Sequence, residues 1–271
     1  MAPEREVRFR SLDGTGLSGT VTLEEESSRL AVLVHGAGVT RHEGGFFTRL
    51  AEGLASGGVR CLRFDLRAHG QSAGREQEVT IAGVANDIRA ACDWLRADAG
   101  SAAAAVHVVA ASFSGGAAAL HAAYRPQDVD RLVLLNPRLD YRDRYVDSRP
   151  YFDGDYINGT AARDLDEQGF TEKSPFELGR ALHNEAFYLD PGMYLRAVQA
   201  PTLLVHGTRD TFVPVDSSRR HLAYFGGHAE LMELEGAQHG FAVHDDPAYA
   251  DPQTQIWQAQ VIERVTRFVM G

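Results

Sequence analysis

Cysteine is scarce in this chain: only Cys61 and Cys92 occur in 271 residues. Two cysteines cannot build a disulfide framework, and these two lack metal-site spacing. Cys61 falls in an apolar run and Cys92 in a helical pattern, so both are expected as buried free thiols. Positive charge is also in deficit, with 27 Lys and Arg against 37 Asp and Glu and a net charge of −10. Such a field repels polyanions, which argues against nucleic acid or an anionic membrane surface as partner. No run approaches the roughly 20 apolar residues of a membrane span. The charged start, Met1-Ala-Pro-Glu-Arg-Glu, lacks the apolar core of a signal peptide. A soluble, cytoplasmic protein is the expectation. There is no tract poor enough in apolar residues to stay disordered, no internal repeat, and no low-complexity linker beyond the Ala run at 102–105.

What is present is alternation. Residues 7–10 and 17–23 are short alternating runs around Asp13-Gly14-Thr15-Gly16, the pattern of an antiparallel hairpin. Apolar runs at 30–34, 59–64, 106–111, 129–135, 202–205 and 230–234 read as strands, the continuous ones buried on both faces. Helical periodicity lies between them at 46–56, 79–98, 115–124 and 217–224, and after them at 255–269. In 79–98 the residues Ile81, Val84, Ile88, Ala91 and Leu95 share one face. The order predicts an α/β fold, a mainly parallel sheet with helices on both faces and a hairpin at its edge. The alternation fails only between 138 and 199. The expected division is a core of 1–137 and 200–271 and a cap or lid insertion of 138–199. Ten aromatics in the insertion, among them Tyr141, Tyr145, Phe176 and Tyr194, predict an ordered, helical cap. Arg138, Arg142 and Arg144 open it, placed either to meet an acidic substrate tail or simply to be solvated.

The chemistry gathers where strands end. Val106–Ala111 runs into Ser112-Phe113-Ser114-Gly115-Gly116 and then a helix, the setting of a nucleophile elbow. That turn needs small residues two before and two after its serine. Ala110-x-Ser112-x-Ser114 satisfies this, and so does Ser112-x-Ser114-x-Gly116, so Ser114 stands as the alternative nucleophile. Ser112 directly follows the strand and is the choice on position. Asp210 follows the strand at 202–205, and His239 follows the strand at 230–234, so all three lie at the carboxyl edge of the sheet. Their order is nucleophile, acid, histidine. In that arrangement His239 takes the Ser112 proton while Asp210 fixes its tautomer; Asp216 is the nearest other carboxylate for the acid. Backbone N–H groups of Ala37, in the loop after 30–34, and of Phe113 are the oxyanion-hole candidates. His35 reads as a turn-stabilising side chain. Asp65-Leu-Arg67-Ala-His69 reads as loop scaffolding rather than a metal site, because Asp and His four apart on a loop is weak ligand evidence.

These residues resemble the α/β-hydrolase superfamily from Leu30 to the C-terminus. More narrowly, His35-Gly36-Ala37-Gly38, the Phe64–Ser72 stretch, His206-Gly-Thr-Arg-Asp210 and Glu235-Gly-Ala-Gln-His239 resemble the bacterial cinnamoyl/feruloyl esterases. That resemblance implies ester hydrolysis without metal or organic cofactor. The Ala110-x-Ser112-x-Ser114 elbow instead resembles the acyl-carrier-protein thioesterases of bacterial bioluminescence. It keeps a thioester substrate, free or carrier-bound, and acyl transfer in view. A catalytically silent binding protein on the same fold is the remaining reading, and an intact Ser112, Asp210 and His239 speaks against it.

Overall fold

A computed structural model describes residues 2–22, 27–101 and 104–271. Leu23 of the second expected strand and Ala102–Ala103 of the alanine run lie outside them. In chain order the elements are β1 (Glu4–Arg10), β2 (Gly16–Thr22), β3 (Arg29–Val34), α1 (Phe46–Ser56), β4 (Val59–Phe64), α2 (Ile81–Asp98), β5 (Val106–Ala111), α3 (Ser114–Tyr124) and β6 (Val129–Leu135). Residues 138–199 supply β7 (Phe152–Asp153), β8 (Tyr156–Ile157), α4 (Gly159–Glu167), β9 (Phe170–Lys173), β10 (Glu177–Gly179), α5 (Arg180–Ala186) and α6 (Pro191–Ala197). The chain closes with β11 (Thr202–Gly207), α7 (Val215–Leu222), β12 (Ala229–Leu234) and α8 (Pro252–Met270).

Eight strands form one sheet in the order β1-β2-β4-β3-β5-β6-β11-β12. The hairpin pairs antiparallel within itself and with β4, and every other neighbour is parallel. The continuous apolar runs are explained by this: alternate residues of each central strand face opposite layers. Leu30, Val32 and Val34 join Val106, Val108 and Ala110 under α2 and α3. Ala31, Leu33, Val109 and Ala111 face the other way, toward α1 and α8. Each fully buried valine or leucine among these contributes roughly 1.5–3 kcal/mol.

Helix starts differ from the periodicity by their caps. The helix expected from 79 begins at Ile81, because the Thr80 hydroxyl accepts the Gly83 N–H at 3.0 Å. The last helix begins at Pro252 behind Asp251, whose carboxylate accepts the Gln253 N–H at 2.7 Å; proline fits the first helical position. The segment 138–199 is not the all-helical unit its aromatics suggested. Two short antiparallel pairs interrupt it, with Gly154 and Gly169 in left-handed turns that no helix continues through. Its opening residues are woven into the core: Leu139, Tyr141, Tyr145 and Val146 are buried in the layer that holds α2 and α3. Among the described residues, no helix is long and apolar enough to cross a membrane.

Candidate active site

The turn after β5 bends so sharply that Ser112 takes a left-handed φ of 51°, a region disfavoured for any residue with a Cβ. Backbone bonds hold it there. The Ser112 N–H donates to the Leu135 carbonyl at 2.9 Å, and the Ser112 carbonyl accepts from Gly115 at 3.0 Å and Arg138 at 2.9 Å. The turn is crowded from the other side as well. A Cβ on Gly36 would stand 2.9 Å from the Ser112 Cβ, so only glycine lets the loop after β3 lie against the elbow. That approach brings Ala37 beside Ser112. Among the described residues, neither the Ala37 nor the Phe113 N–H donates to any backbone or side-chain acceptor.

The three distant residues meet here. The Ser112 hydroxyl lies 3.0 Å from His239 Nε2, and His239 Nδ1 lies 2.7 Å from Asp210 Oδ2. The carboxylate partner puts the imidazole proton on Nδ1, which leaves Nε2 free to accept the Ser112 O–H. The other Asp210 oxygen accepts the N–H groups of Phe212 at 2.8 Å and Val213 at 2.9 Å. Burial opposes charge on Asp210, but bonds from His206, His239 and Val213 outweigh it and hold the carboxyl well below the usual carboxylate range. Ser114 is elsewhere. It is wholly buried, and its hydroxyl donates to the His35 carbonyl at 2.6 Å.

His35 and the loop after β4 form a brace. His35 donates from Nδ1 to the Gly36 carbonyl at 2.6 Å, and its Nε2 accepts the Leu66 N–H at 3.0 Å. Burial, with His69 nearby, pushes its pKa down to about 4. Asp65 is consumed by Arg41 and by the Gln71 N–H at 2.9 Å, and His69 Nε2 accepts the Gly38 N–H at 3.0 Å. Among the described residues no three His, Cys, Asp or Glu side chains gather as metal ligands do. Both cysteines are buried and free, and burial pushes the Cys92 thiol up to about 12.

Three contributors were not singled out from the sequence. His206, fully buried on β11, receives the Ser218 hydroxyl on Nδ1 at 2.7 Å and turns Nε2 toward Val213 O at 2.8 Å and Asp210 Oδ2 at 3.4 Å. A histidine inside an otherwise apolar strand was the available signal. Asn136 accepts the Gly207 N–H at 2.8 Å and ties the end of β6 to that of β11. Phe212 is 72% exposed yet packs its ring 5.3 Å from that of His239, which suits it to contact a substrate.

Glu43, in the turn before α1, has one carboxyl oxygen buried and unpartnered among the described residues. Burial pushes its pKa up to about 8, against one opposing backbone bond from Gly36. The folded protein therefore holds a proton there that the unfolded chain releases above about pH 4.3. Stability falls as pH rises from that value through about 8. Glu43→Gln, which keeps the shape without the charge, is expected to raise Tm at about pH 9 and leave it unchanged at about pH 4. Thermal melts at the two pH values check this; equal shifts at both would mean that ionisation is not the cause.

The chain is similar to known proteins in sequence and in fold. Residues 31–251 match the alpha/beta hydrolase family. A stretch of 56 residues, 21% of this chain and 20% of the relative, is 41% identical to a non-heme chloroperoxidase from Kitasatospora aureofaciens; the chain thus spans about a fifth of that relative. Among solved structures, Est1E from Butyrivibrio proteoclasticus with ferulic acid bound matches with a TM-score of 0.79 and 20% identity, over 97% of this chain and 98% of its own. A dienelactone hydrolase from Anabaena variabilis matches at 0.66 and 20% identity, over 99% and 97%. An esterase from Pyrococcus furiosus matches at 0.69 and 21% identity, over 100% and 94%. At such identities the structures speak for a common fold, while the family match spans most of the sequence. The chain belongs to the alpha/beta hydrolase family.

Proposed function

We propose that this protein is a serine hydrolase that cleaves a small-molecule carboxylic ester through an acyl-enzyme. The observation that carries the reading is the unbroken chain from the Ser112 hydroxyl through His239 to Asp210, at 3.0 and 2.7 Å, on a serine held at positive φ. Ser112 attacks the ester carbonyl as its proton passes to His239 Nε2. The tetrahedral oxyanion is held by the free N–H groups of Ala37 and Phe113, each such donor being worth about 2.7–4 kcal/mol in comparable sites. Collapse expels the alcohol, which takes the proton from His239. Water then attacks the acyl-enzyme with His239 again as base, releasing the acid and restoring Ser112. No metal or organic cofactor enters this sequence of steps.

Residues 138–199 serve as the cap in this reading. Support comes from Phe176 and Tyr145, which pack edge-on against Phe113 at ring separations of 5.3 and 6.3 Å and so tie the segment to the residue that follows Ser112. The Ala110-x-Ser112-x-Ser114 frame favours a second reading, a thioester donor attacked by the same serine, with hydrolysis or transfer of the acyl group. A series of p-nitrophenyl acyl esters and the matching acyl thioesters, assayed side by side, tests both. Faster turnover of the esters, with a phosphonate label on Ser112, is the expected result. Faster turnover of the thioesters would favour the second reading, and turnover of neither, without labelling, would sink both.

A further inference from the structure

The three arginines that open the 138–199 segment fare differently. Arg142 is neutralised by Asp155 at 2.6 Å and Asp147 at 3.3 Å, and its guanidinium lies over Phe187. Arg138 and Arg144 have no carboxylate within 4.0 Å among the described residues. In a chain with ten more acidic than basic side chains, two guanidiniums of one short segment, neither paired with a carboxylate, call for an explanation.

Their position gives one. The Arg138 N–H donates to the Ser112 carbonyl at 2.9 Å, so its backbone touches the elbow. Its side chain crosses to the Phe212 carbonyl, which accepts from Nη2 at 2.7 Å, and Phe212 is the residue whose ring packs on His239. Arg138 thus bridges the elbow, through its backbone N–H, and the loop that carries Asp210 and Phe212, through its guanidinium. Its other N–H donors have no acceptor among the described residues. Arg144 lies 5.6 Å over the Tyr145 ring, and that ring packs on Phe113, whose N–H is the second oxyanion donor in our reading. Both arginines are half-buried. A half-buried cation without a counter-ion is costly. The cost shows in Arg138, whose pKa is lowered first by burial and further by Arg144. A carboxylate received between the two would remove both penalties, and guanidinium matches carboxylate geometry with two parallel N–H bonds.

Building on the ester-hydrolase reading, we propose that Arg138 and Arg144 form an anion subsite beside Ser112 for a carboxylate on the acyl part of the substrate. The preferred substrates are then half-esters or half-thioesters of short dicarboxylic acids. A purely structural role for Arg138, bracing the Phe212 loop, would give no preference between charged and neutral acyl groups.

The test compares kcat/KM for mono-p-nitrophenyl glutarate with that for neutral p-nitrophenyl valerate. The wild-type protein should favour the glutarate by about tenfold or more, the worth of one or two charge-assisted hydrogen bonds, and added salt should erode the preference. Arg138→Gln and Arg144→Gln should collapse the ratio, mainly through KM for the anionic ester. Arg138→Lys, which keeps the charge but not the two-point geometry, should retain part of it, and Arg142→Gln should leave the ratio intact. A wild-type ratio at or below one, or a ratio that neither glutamine variant moves, overturns the proposal. Titration calorimetry with free glutarate separates this from a failure of the hydrolase reading. Glutarate binding that Arg138→Gln weakens supports the subsite even if no ester is turned over. Absence of both turnover and binding overturns it.

Discussion

Replacing Ser112 with alanine is expected to lower kcat by about 10⁴–10⁶ and to abolish covalent labelling by a phosphonate. Ser114→Ala is expected to keep a protein that is labelled and turns over ester. The two serines are two residues apart and both satisfy the small-residue rule of the elbow, so the contrast rests on their surroundings. The Ser112 hydroxyl faces His239 and remains partly open to solvent. The Ser114 hydroxyl is wholly buried and spends its proton on the His35 carbonyl at 2.6 Å. Loss of that bond leaves a buried carbonyl short of a donor, at a cost of about 1–3 kcal/mol in stability rather than in chemistry. Rate assays and intact-mass labelling of the two variants, with thermal melts as control, measure the contrast. Labelling retained in Ser112→Ala and lost in Ser114→Ala would reverse the assignment.

The ambiguity between these serines shows where reading the sequence stops. Strand ends are legible because a buried parallel strand must be apolar throughout and must end where polar residues begin. Ser112, Asp210 and His239 could therefore be placed on one edge of the sheet without coordinates. Which of two neighbouring hydroxyls faces that edge depends on a φ angle and on a carbonyl 79 positions away, and no local pattern encodes either. His206 was missed for the same reason: its partners, Ser218 and Asp210, lie on loop and helix beyond the strand. The 138–199 segment lacked a period because it has no single one. Its turns alternate between short helices and two-stranded pairs, and its opening aromatics answer to the core as well as to one another. Tyr141 is the clearest case, its hydroxyl donating to Phe113 O at 2.6 Å and accepting the Ala117 N–H at 2.9 Å.

Asp210→Asn is expected to lower kcat by about 10⁴ while the fold persists. The surroundings of Asp210 decide how the amide would sit. Oδ1 accepts two backbone N–H groups, from Phe212 and Val213, and an NH₂ group placed there would face donors with a donor. The asparagine oxygen must therefore take that side, which turns its NH₂ toward His239. Nδ1 of His239 would then accept rather than donate, and the imidazole proton would move to Nε2. There it faces the Ser112 hydroxyl, and the base is lost without any atom moving far. His206 opposes this orientation only weakly, because its Nε2–H points mainly at the Val213 carbonyl at 2.8 Å and reaches the Oδ2 side at 3.4 Å, against two backbone donors at 2.8 and 2.9 Å on the Oδ1 side. Asp216 is no substitute: its side chain is 81% exposed and already paired with Arg219 at 2.8 Å. Asp216→Asn should accordingly leave kcat within a factor of a few, on the scale of an exposed ion pair. Steady-state rates on one ester, with circular dichroism to verify folding, compare the two variants. A loss below tenfold in Asp210→Asn would mean that another group orients His239, since a tautomer locked by two backbone donors leaves no milder outcome.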